Sequence, residues 1–176
     1  MPVYHVRFTC AVDYNARRLP HRPAHLTQLT TLREEGRVVA GGPEPDGSAA
    51  HIFYRVAGRA DLNRLIADNE FQRAGLFVAH AARAFDDFVE PIERLPPDAG
   101  WKVTLVEGVP TDHARASAAL MRLRTEKLVN LGGFFPDGRA LAVVRLSDAA
   151  AALATLEAAG GWDARHLTAR PWSQTL

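Results

Sequence analysis

The feature that most constrains this chain is an internal repeat of about half its length. The turn-rich pattern Gly-Gly-x-x-Pro-Asp-Gly begins at Gly41 and returns 91 positions later at Gly132. The same offset aligns Leu29 with Leu120, Leu32 with Leu123, Glu35 with Glu126, Leu62 with Leu153, Leu65 with Leu156 and Phe71 with Trp162. Near the end of each copy the offset falls to 87, where Arg83-Ala-Phe85 matches Arg170-Pro-Trp172. The repeat predicts a fold built by tandem duplication of one structural unit.

Strand-like and helix-like segments alternate in the same order in both copies. In the first copy we predict strands at Val3–Cys10, Arg37–Ala40, His51–Val56 and Leu76–Phe85, and helices at Pro23–Glu35 and Ala60–Ala67. In the second copy we predict strands at Trp101–Val106, Leu128–Leu131, Arg139–Leu146 and His166–Trp172, and helices at His113–Lys127 and Ala149–Ala159. The order β-α-β-β-α-β is that of a ferredoxin-like unit.

A sheet of this kind carries its helices on one face and leaves the other face bare, so two copies can cover each other. We therefore predict an α+β fold in which two fused ferredoxin-like βαββαβ units form, within one chain, an arrangement like a dimeric α/β-barrel. The predicted units are residues 1–90 and a degenerate copy at 101–176, joined by a Pro-rich linker at 91–100. We expect a monomer with an internal pseudo-dimer and leave a further homodimer open.

Composition argues against several classes of partner. The chain has 21 basic and 20 acidic side chains, a net charge of +1 and no long basic block, so we expect neither nucleic acid nor a membrane as partner. Cys10 is the only cysteine, which excludes intrachain disulfides and cysteine zinc sites. His5 and Arg7 interrupt the first ten residues, so we expect no signal peptide and a cytoplasmic location.

Three segments of the first copy carry a recognisable combination of motifs. They are Arg22-Pro-Ala-His25-Leu26, Gly36-Arg-Val-Val-Ala-Gly41-Gly42-Pro43 and Asp68-Asn-Glu-Phe71-Gln-Arg-Ala-Gly-Leu-Phe77. Together they resemble the YciI (YCII-related) family. The resemblance implies a dimeric α/β-barrel fold and a His–Asp active centre, which by motif position is His25 and Asp68. One branch of that family removes chloride from a chlorinated hydroxyhydroquinone. This chain has Asn69 where the family usually has proline.

The chemistry of the residues supports the same pair. His25 lies in the first turns of the predicted helix, beside Leu26 of its apolar stripe, where a histidine can exchange protons near neutral pH. A carboxylate at its Nδ1, supplied by Asp68, would fix the tautomer and raise the pKa. The alternative is a structural histidine, with Asp68 capping a turn. The aligned positions in the second copy are Ala116 and Ala159, so both members are lost together while the core leucines remain.

Six further residues are predicted to contact the substrate: Arg22, His5, Arg7, Pro43, His51 and Arg55. Arg22 would bind an anionic oxygen near a helix N-terminus, and the Gly-Gly-Pro43 segment would let the backbone pass close to the cleft. The other four alternate along two strands and would line the open face of the sheet. His21 and His25 are four positions apart, but Pro23 separates them, so we predict no metal site.

The sequence therefore predicts a cofactor-independent enzyme of lyase or isomerase type. In this hypothesis His25, oriented by Asp68, performs general acid/base chemistry on a small phenolic, quinoid or polyketide-like molecule, while Arg22 stabilises a developing oxyanion. A non-catalytic small-molecule-binding or accessory protein that uses the same cleft is the alternative. A heme- or oxygen-dependent monooxygenase is a third.

Overall fold

The computed structural model describes residues 1–91 and 100–176, which fall into two compact units. Unit 1 contains Met1–Ala84 together with Ser173–Leu176, and unit 2 contains residues 85–91 together with Trp101–Trp172. Residues 92–99 of the predicted linker lie outside the described part of the chain. Each unit thus consists of one copy of the repeat plus the last strand residues of the other copy.

Unit 1 has the predicted β-α-β-β-α-β order with two short helices added. Its elements are β1 (Val3–Cys10), α1 (Tyr14–Arg17), α2 (Arg22–Glu34), β2 (Val38–Pro43), β3 (Ala49–Arg55), α3 (Arg59–Asp68), α4 (Glu70–Arg73) and β4 (Phe77–Val89), whose end belongs to unit 2. The four-residue helices α1 and α4 were not predicted, because neither is long enough to show a helical repeat of apolar residues.

The sequence of unit 1 explains where its main elements begin and end. Pro23 occupies the first turn of α2, where its missing N–H is not needed, and Gly36 ends the helix region with a φ of 74°. Strand β2 runs to Pro43 instead of ending at Ala40, because Gly41 and Gly42 continue its antiparallel pairing with β3. Apolar residues of β1 and β3 pack with the helices in one core.

Unit 2 repeats the same order. Its elements are the end of β4, then β5 (Trp101–Gly108), α5 (His113–Thr125), β6 (Val129–Phe134), β7 (Ala140–Val144), α6 (Ala149–Ala159) and β8 (Thr168–Gln174), with a 3-10 turn at Ala164–His166. Asp112 and Asp148 cap α5 and α6, since each carboxylate accepts a hydrogen bond from a backbone N–H of the first turn. The α+β, two-unit fold class is confirmed.

No helix in the described residues is long and apolar enough to cross a membrane.

In unit 1, the Gly-Gly pair of β2 lies directly against the last residues of the chain. Any side chain at Gly42 would collide with the backbone carbonyl of Ser173. The carbonyl of Gly41 accepts hydrogen bonds from the N–H groups of Thr175, at 2.9 Å, and Leu176, at 3.1 Å. Glycine is therefore required at position 42 because another backbone occupies the space of a Cβ.

Unit 2 repeats this contact with the end of β4. Any side chain at Gly133 would collide with the backbone carbonyl of Asp86, and β4 pairs antiparallel with β6 through Asp86 and Val89. Asp86 and Ser173 are 87 positions apart, which is the offset seen near the end of the repeat. The repeat offset has therefore fallen from 91 to 87 in β4 and β8, the two strands whose ends contact the Gly-Gly pairs.

Replacing Gly42 by alanine is expected to lower the free energy of unfolding by about 1–3 kcal/mol, because the new Cβ forces the Ser173 backbone away. Urea unfolding of wild type and variant measures the difference. The matched control is Gly58→Ala, at a position with an extended φ of 175° and no atom within 4 Å of a Cβ. Equal losses for the two variants would contradict the contact.

Candidate functional site

Unit 1 contains a pocket beside α2 with about 480 Å³ of empty space, including its opening to solvent. Its walls are formed by Tyr14, Arg18, Arg22, His25, Leu26, Leu29, Gly42, Pro43, Ala50, Ile52, Phe71, Phe77 and Thr175. Three residues predicted from the sequence, His25, Arg22 and Pro43, are among them. The pocket thus combines apolar walls with two guanidinium groups and one imidazole, a composition typical of small-molecule sites.

The ring of His25 is held between aromatic side chains. It is only 7% exposed and stacks on Phe71, with ring centroids 3.8 Å apart and planes inclined by 6°. Phe77 meets the same ring nearly at a right angle, 82°, at 6.1 Å. These contacts remove most of the rotational freedom of the imidazole, so its nitrogens have fixed positions in the pocket wall.

Asn69 is the hydrogen-bond partner of His25. The side chain of Asn69 is 1% exposed, and its Oδ1 accepts a hydrogen bond from the backbone N–H of Phe71 at 2.9 Å, which caps α4. His25 Nδ1 lies 3.2 Å from the same oxygen. Because a carbonyl oxygen only accepts, Nδ1 carries the proton and Nε2 is the basic nitrogen of the neutral ring. Nε2 has no hydrogen-bond partner in the described part of the chain.

His25 is uncharged at neutral pH. Burial is the main reason that the pKa of His25 is lowered to about 4; the hydrogen bond to Asn69 and the nearby Glu70 carboxylate partly oppose this shift, and Arg22 adds a smaller lowering effect. The sequence led us to expect the reverse, a pKa raised by a carboxylate at Nδ1. The difference arises because an amide, which has no charge, occupies the position expected for a carboxylate.

The predicted pairing of His25 with Asp68 is not formed. Asp68 is the last residue of α3, and its side chain is exposed. Asn69 follows with an extended backbone, φ −63° and ψ 130°, as it leaves α3 and caps α4. Capping requires the Asn69 side chain to turn back toward the N–H of Phe71, which places it inside. The neighbouring Asp68 side chain therefore points to solvent.

Gln28 holds the segment that carries Asn69 against α2. Its Nε2 donates to the carbonyl of Asp68 at 2.9 Å, and its Oε1 accepts from the N–H of Glu70 at 3.1 Å. The carboxylate of Glu70 in turn lies 2.8 Å from Nδ1 of His21. Three contacts therefore fix the position of Asn69 relative to the helix that bears His25.

Four predicted substrate-binding residues, His5, Arg7, His51 and Arg55, alternate along β1 and β3 with residues that pack against the helices. Their side chains therefore face away from the helix layer, and they are not part of the pocket around His25. Arg55 is half-buried at the end of β3. Their predicted contact with substrate stays a prediction.

His5 and His51 bond to each other. His5 Nε2 lies 2.9 Å from His51 Nδ1, and His51 Nε2 lies 3.0 Å from Oε1 of Glu44, which also lies 3.8 Å from the Arg7 guanidinium. Because the carboxylate of Glu44 only accepts, His51 donates from Nε2 and accepts at Nδ1. Burial, and then the neighbouring His51, hold the pKa of His5 well below its usual range.

Sequence reasoning missed Asn69, Arg18, Tyr14, Phe71 and Phe77 as site residues. The replacement of the family proline by Asn69 was the one available signal, since asparagine favours helix N-caps. Tyr14 is the first residue of the unpredicted helix α1 and Arg18 is its C-cap, so the periodicity of the sequence gave no indication of either. No group of three or more potential metal ligands occurs in residues 1–91 and 100–176.

In unit 2, the backbone occupies the position that corresponds to the His25 ring of unit 1. Ala116 stands at the position of His25 and Gly160 at the position of Asn69. Ala116 is fully buried. A Cβ on Gly161, the residue after Gly160, would lie 2.6 Å from the backbone nitrogen of Ala116. The backbone after α6 thus packs directly on α5 at the point where unit 1 carries the imidazole ring.

No family model and no curated protein matches this chain. Among solved structures, a candidate monooxygenase from Lactobacillus acidophilus aligns at 9% identity over 99% of this chain and 94% of that chain, with a TM-score of 0.58. A heme-binding protein from Thermus thermophilus aligns at 11% identity over 99% of this chain and 92% of that chain, with a TM-score of 0.51. These likenesses support the dimeric α/β-barrel type of fold.

A 5-chloro-2-hydroxyhydroquinone dehydrochlorinase from Burkholderia phenoliruptrix aligns at 17% identity over 54% of this chain and 94% of that chain. Its TM-score of 0.40 is too low to establish a shared fold. Membership of the YciI family stays a prediction.

Replacing Asn69 by aspartate is expected to raise the pKa of His25 by about one unit or more, because a negative charge at hydrogen-bond distance favours the imidazolium. Histidine ¹H–¹⁵N NMR titration measures the pKa, and the His25→Gln spectrum assigns the resonance. The control is Asp68→Asn, which removes the neighbouring exposed carboxylate and should leave the pKa of His25 unchanged. A drop in this control would restore the His25–Asp68 pair.

The low pKa of His25 also makes folding stability depend on pH. The unfolded state takes up this proton near pH 6.5 and the folded state only near pH 4, so stability decreases as the pH falls through that interval. The loss reaches up to about 3 kcal/mol below both values. His25→Gln should show a smaller loss than wild type in urea unfolding between pH 7 and pH 4. Parallel curves for the two proteins would contradict a buried, neutral His25.

Proposed function

We propose that this chain is an enzyme that moves protons on a small electron-rich molecule, phenolic, quinoid or polyketide-like, with His25 as the acid/base residue and without a cofactor. The observation that carries the proposal is the geometry of His25. Its ring lines the pocket, its Nδ1–H is fixed by Asn69, and its Nε2 is the basic nitrogen with no partner in the described residues. A histidine used only for packing has no need of an open basic nitrogen.

In the proposed reaction, Nε2 of His25 accepts a proton from a hydroxyl group of the substrate. The electron pair of the broken O–H bond delocalises into the ring and raises electron density at a ring carbon. The imidazolium then returns the proton to that carbon, which gives the keto tautomer. In a substrate that carries a leaving group on the newly protonated carbon and a second ring hydroxyl, Nε2 then accepts the proton of that hydroxyl. The electron pair of this O–H bond moves through the ring and expels the leaving group as an anion with its bonding pair, which gives a quinone. Neither path changes the oxidation state of the protein.

The environment of His25 suits the return of the proton. Because the pKa of His25 is about 4, the base form predominates at neutral pH, while the imidazolium formed during turnover is a strong acid. The same low pKa makes the first transfer unfavourable by itself. Arg22, close enough to lower the pKa of His25, would stabilise the oxyanion that forms and so offset this cost.

Asn69 takes the role that the sequence assigned to Asp68. As a neutral acceptor it holds the reactive tautomer without stabilising the imidazolium by a full charge. The proposed active centre is therefore a His25–Asn69 pair, and Asp68 has no part in it. Unit 2, with Ala116 and Gly160 at the aligned positions, keeps the fold without this pair.

Proton transfer can be tested without knowing the natural substrate. We expect the wild-type protein to accelerate exchange of ring hydrogens of 1,2,4-trihydroxybenzene for deuterium in oxygen-free D₂O, measured by ¹H NMR. His25→Gln should reduce the enzymatic rate at least about 100-fold, since it removes the general base. Asp68→Asn, the matched exposed control, should keep at least half of the rate.

The pH profile provides a second readout of the same proposal. The rate should be independent of pH between about 5 and 7 and fall below about pH 4, where His25 becomes protonated. Full activity in His25→Gln would overturn the assignment. If wild type binds the trihydroxybenzene but accelerates no exchange, the alternative, a binding or accessory protein with the same pocket, replaces the proposed enzyme.

A further inference from the structure

We infer that the pocket of unit 1 selects an anionic aromatic molecule and that Arg18 is the residue that binds its negative group. The inference rests on the proposed function only in treating this molecule as the substrate. The binding site itself follows from the placement of Arg18, a residue that neither the sequence motifs nor the proposed proton transfer uses.

Arg18 is half-buried, and its guanidinium interacts with the ring and the hydroxyl of Tyr14. Nε of Arg18 is shielded from solvent and has no hydrogen-bond partner in residues 1–91 and 100–176. Its guanidinium carbon lies 5.4 Å from the centroid of the Tyr14 ring, which forms another part of the pocket wall. A shielded N–H donor without an acceptor is unfavourable, so a bound anion that supplies the acceptor is strongly favoured.

The backbone of Arg18 is fixed on both sides. Its N–H donates to the carbonyl of Tyr14 at 2.9 Å, and its own carbonyl accepts from the N–H groups of His21, at 3.1 Å, and Arg22, at 2.9 Å. The residue therefore joins α1 to α2 in a rigid turn. Because the backbone of this turn is already ordered, binding of a ligand at Arg18 does not require ordering of the turn itself.

The preceding residue, Arg17, has both an ion pair and a side-chain hydrogen bond to a backbone carbonyl, and the Arg18 side chain has neither in the described residues. Arg17 is exposed, pairs with Asp13 at 3.1 Å and donates to the carbonyl of Ala74 at 2.8 Å. Among the residues that the structure describes, Arg18 makes no such ion pair, and none of the pocket-lining side chains is acidic. The pocket thus contains positive charge that no lining carboxylate balances, which favours a negatively charged ligand.

The remaining walls define the rest of the ligand. Phe77, Ile52 and Leu29 provide apolar surface, and Pro43 adds a rigid edge. Such walls favour a planar ring over a flexible polar chain. The ligand that we infer is therefore a single aromatic ring with a carboxylate, sulfonate or phenolate group, with the anion at Arg18.

The test compares two ligands of nearly equal shape, benzenesulfonate and benzenesulfonamide, by isothermal titration calorimetry at pH 7.5. Wild type should bind benzenesulfonate at least tenfold more tightly than the uncharged sulfonamide. Arg18→Gln should weaken sulfonate binding at least tenfold and leave sulfonamide binding unchanged. The control Arg17→Gln removes the same charge one residue away and should bind sulfonate within threefold of wild type.

A readout on the wild-type protein covers the case in which Arg18→Gln does not fold. The Nε–H resonance of Arg18, assigned by its absence in Arg18→Lys, should shift on addition of benzenesulfonate and stay in place with the sulfonamide. Equal affinity for the two ligands, no binding of either, or an unmoved Arg18 resonance would each overturn the inference.

The outcomes also separate this inference from the proposed function. Arg18-dependent sulfonate binding together with no deuterium exchange in wild type would retain the anion site and reject the enzyme. Exchange that depends on His25 while sulfonate fails to bind would retain the enzyme and reject the anionic substrate.

Discussion

The contact between a glycine and a neighbouring backbone carbonyl is the constraint on which both units depend. Gly42 meets Ser173 and Gly133 meets Asp86 at distances that exclude any side chain. At each contact, the end of a strand from one copy of the repeat belongs to the unit formed by the other copy: Ser173–Leu176 belong to unit 1, and the end of β4 belongs to unit 2. In unit 1 the same contact forms part of the pocket wall, since Gly42 and Thr175 line it beside His25.

Within the pocket, one oxygen atom has two hydrogen-bond partners. Oδ1 of Asn69 caps α4 and accepts a hydrogen bond from His25 Nδ1–H, so the start of a helix and the tautomer of the His25 imidazole are set together. An amide achieves this without adding charge, and burial can therefore hold the pKa of His25 low. A carboxylate in the place of the Asn69 amide would raise the pKa of His25, which would make the neutral imidazole a stronger base and its imidazolium a weaker acid.

The two copies of the repeat share their packing and differ at the proposed site. Unit 2 keeps the Gly-Gly contact, the capped helices and the leucine core, and it fills the place of the imidazole with Ala116 and a close backbone at Gly161. Unit 2 thus keeps the packing and the strand contacts of unit 1 but lacks the side chains that correspond to His25 and Asn69. This contrast supports a role for His25 beyond packing, because the fold forms without the residue in unit 2.

The sequence by itself determined the repeat and the order of strands and helices, because both are set by the spacing of residues along the chain. The catalytic role of His25 stays a prediction. The sequence predicted Asp68, and not Asn69, as the partner of His25, because only the cap of α4 turns the Asn69 side chain inward and leaves Asp68 exposed. It also missed Arg18, which follows a helix too short to show a period. The pairing of His5 with His51 depends on the register of β1 and β3, a choice made by tertiary packing.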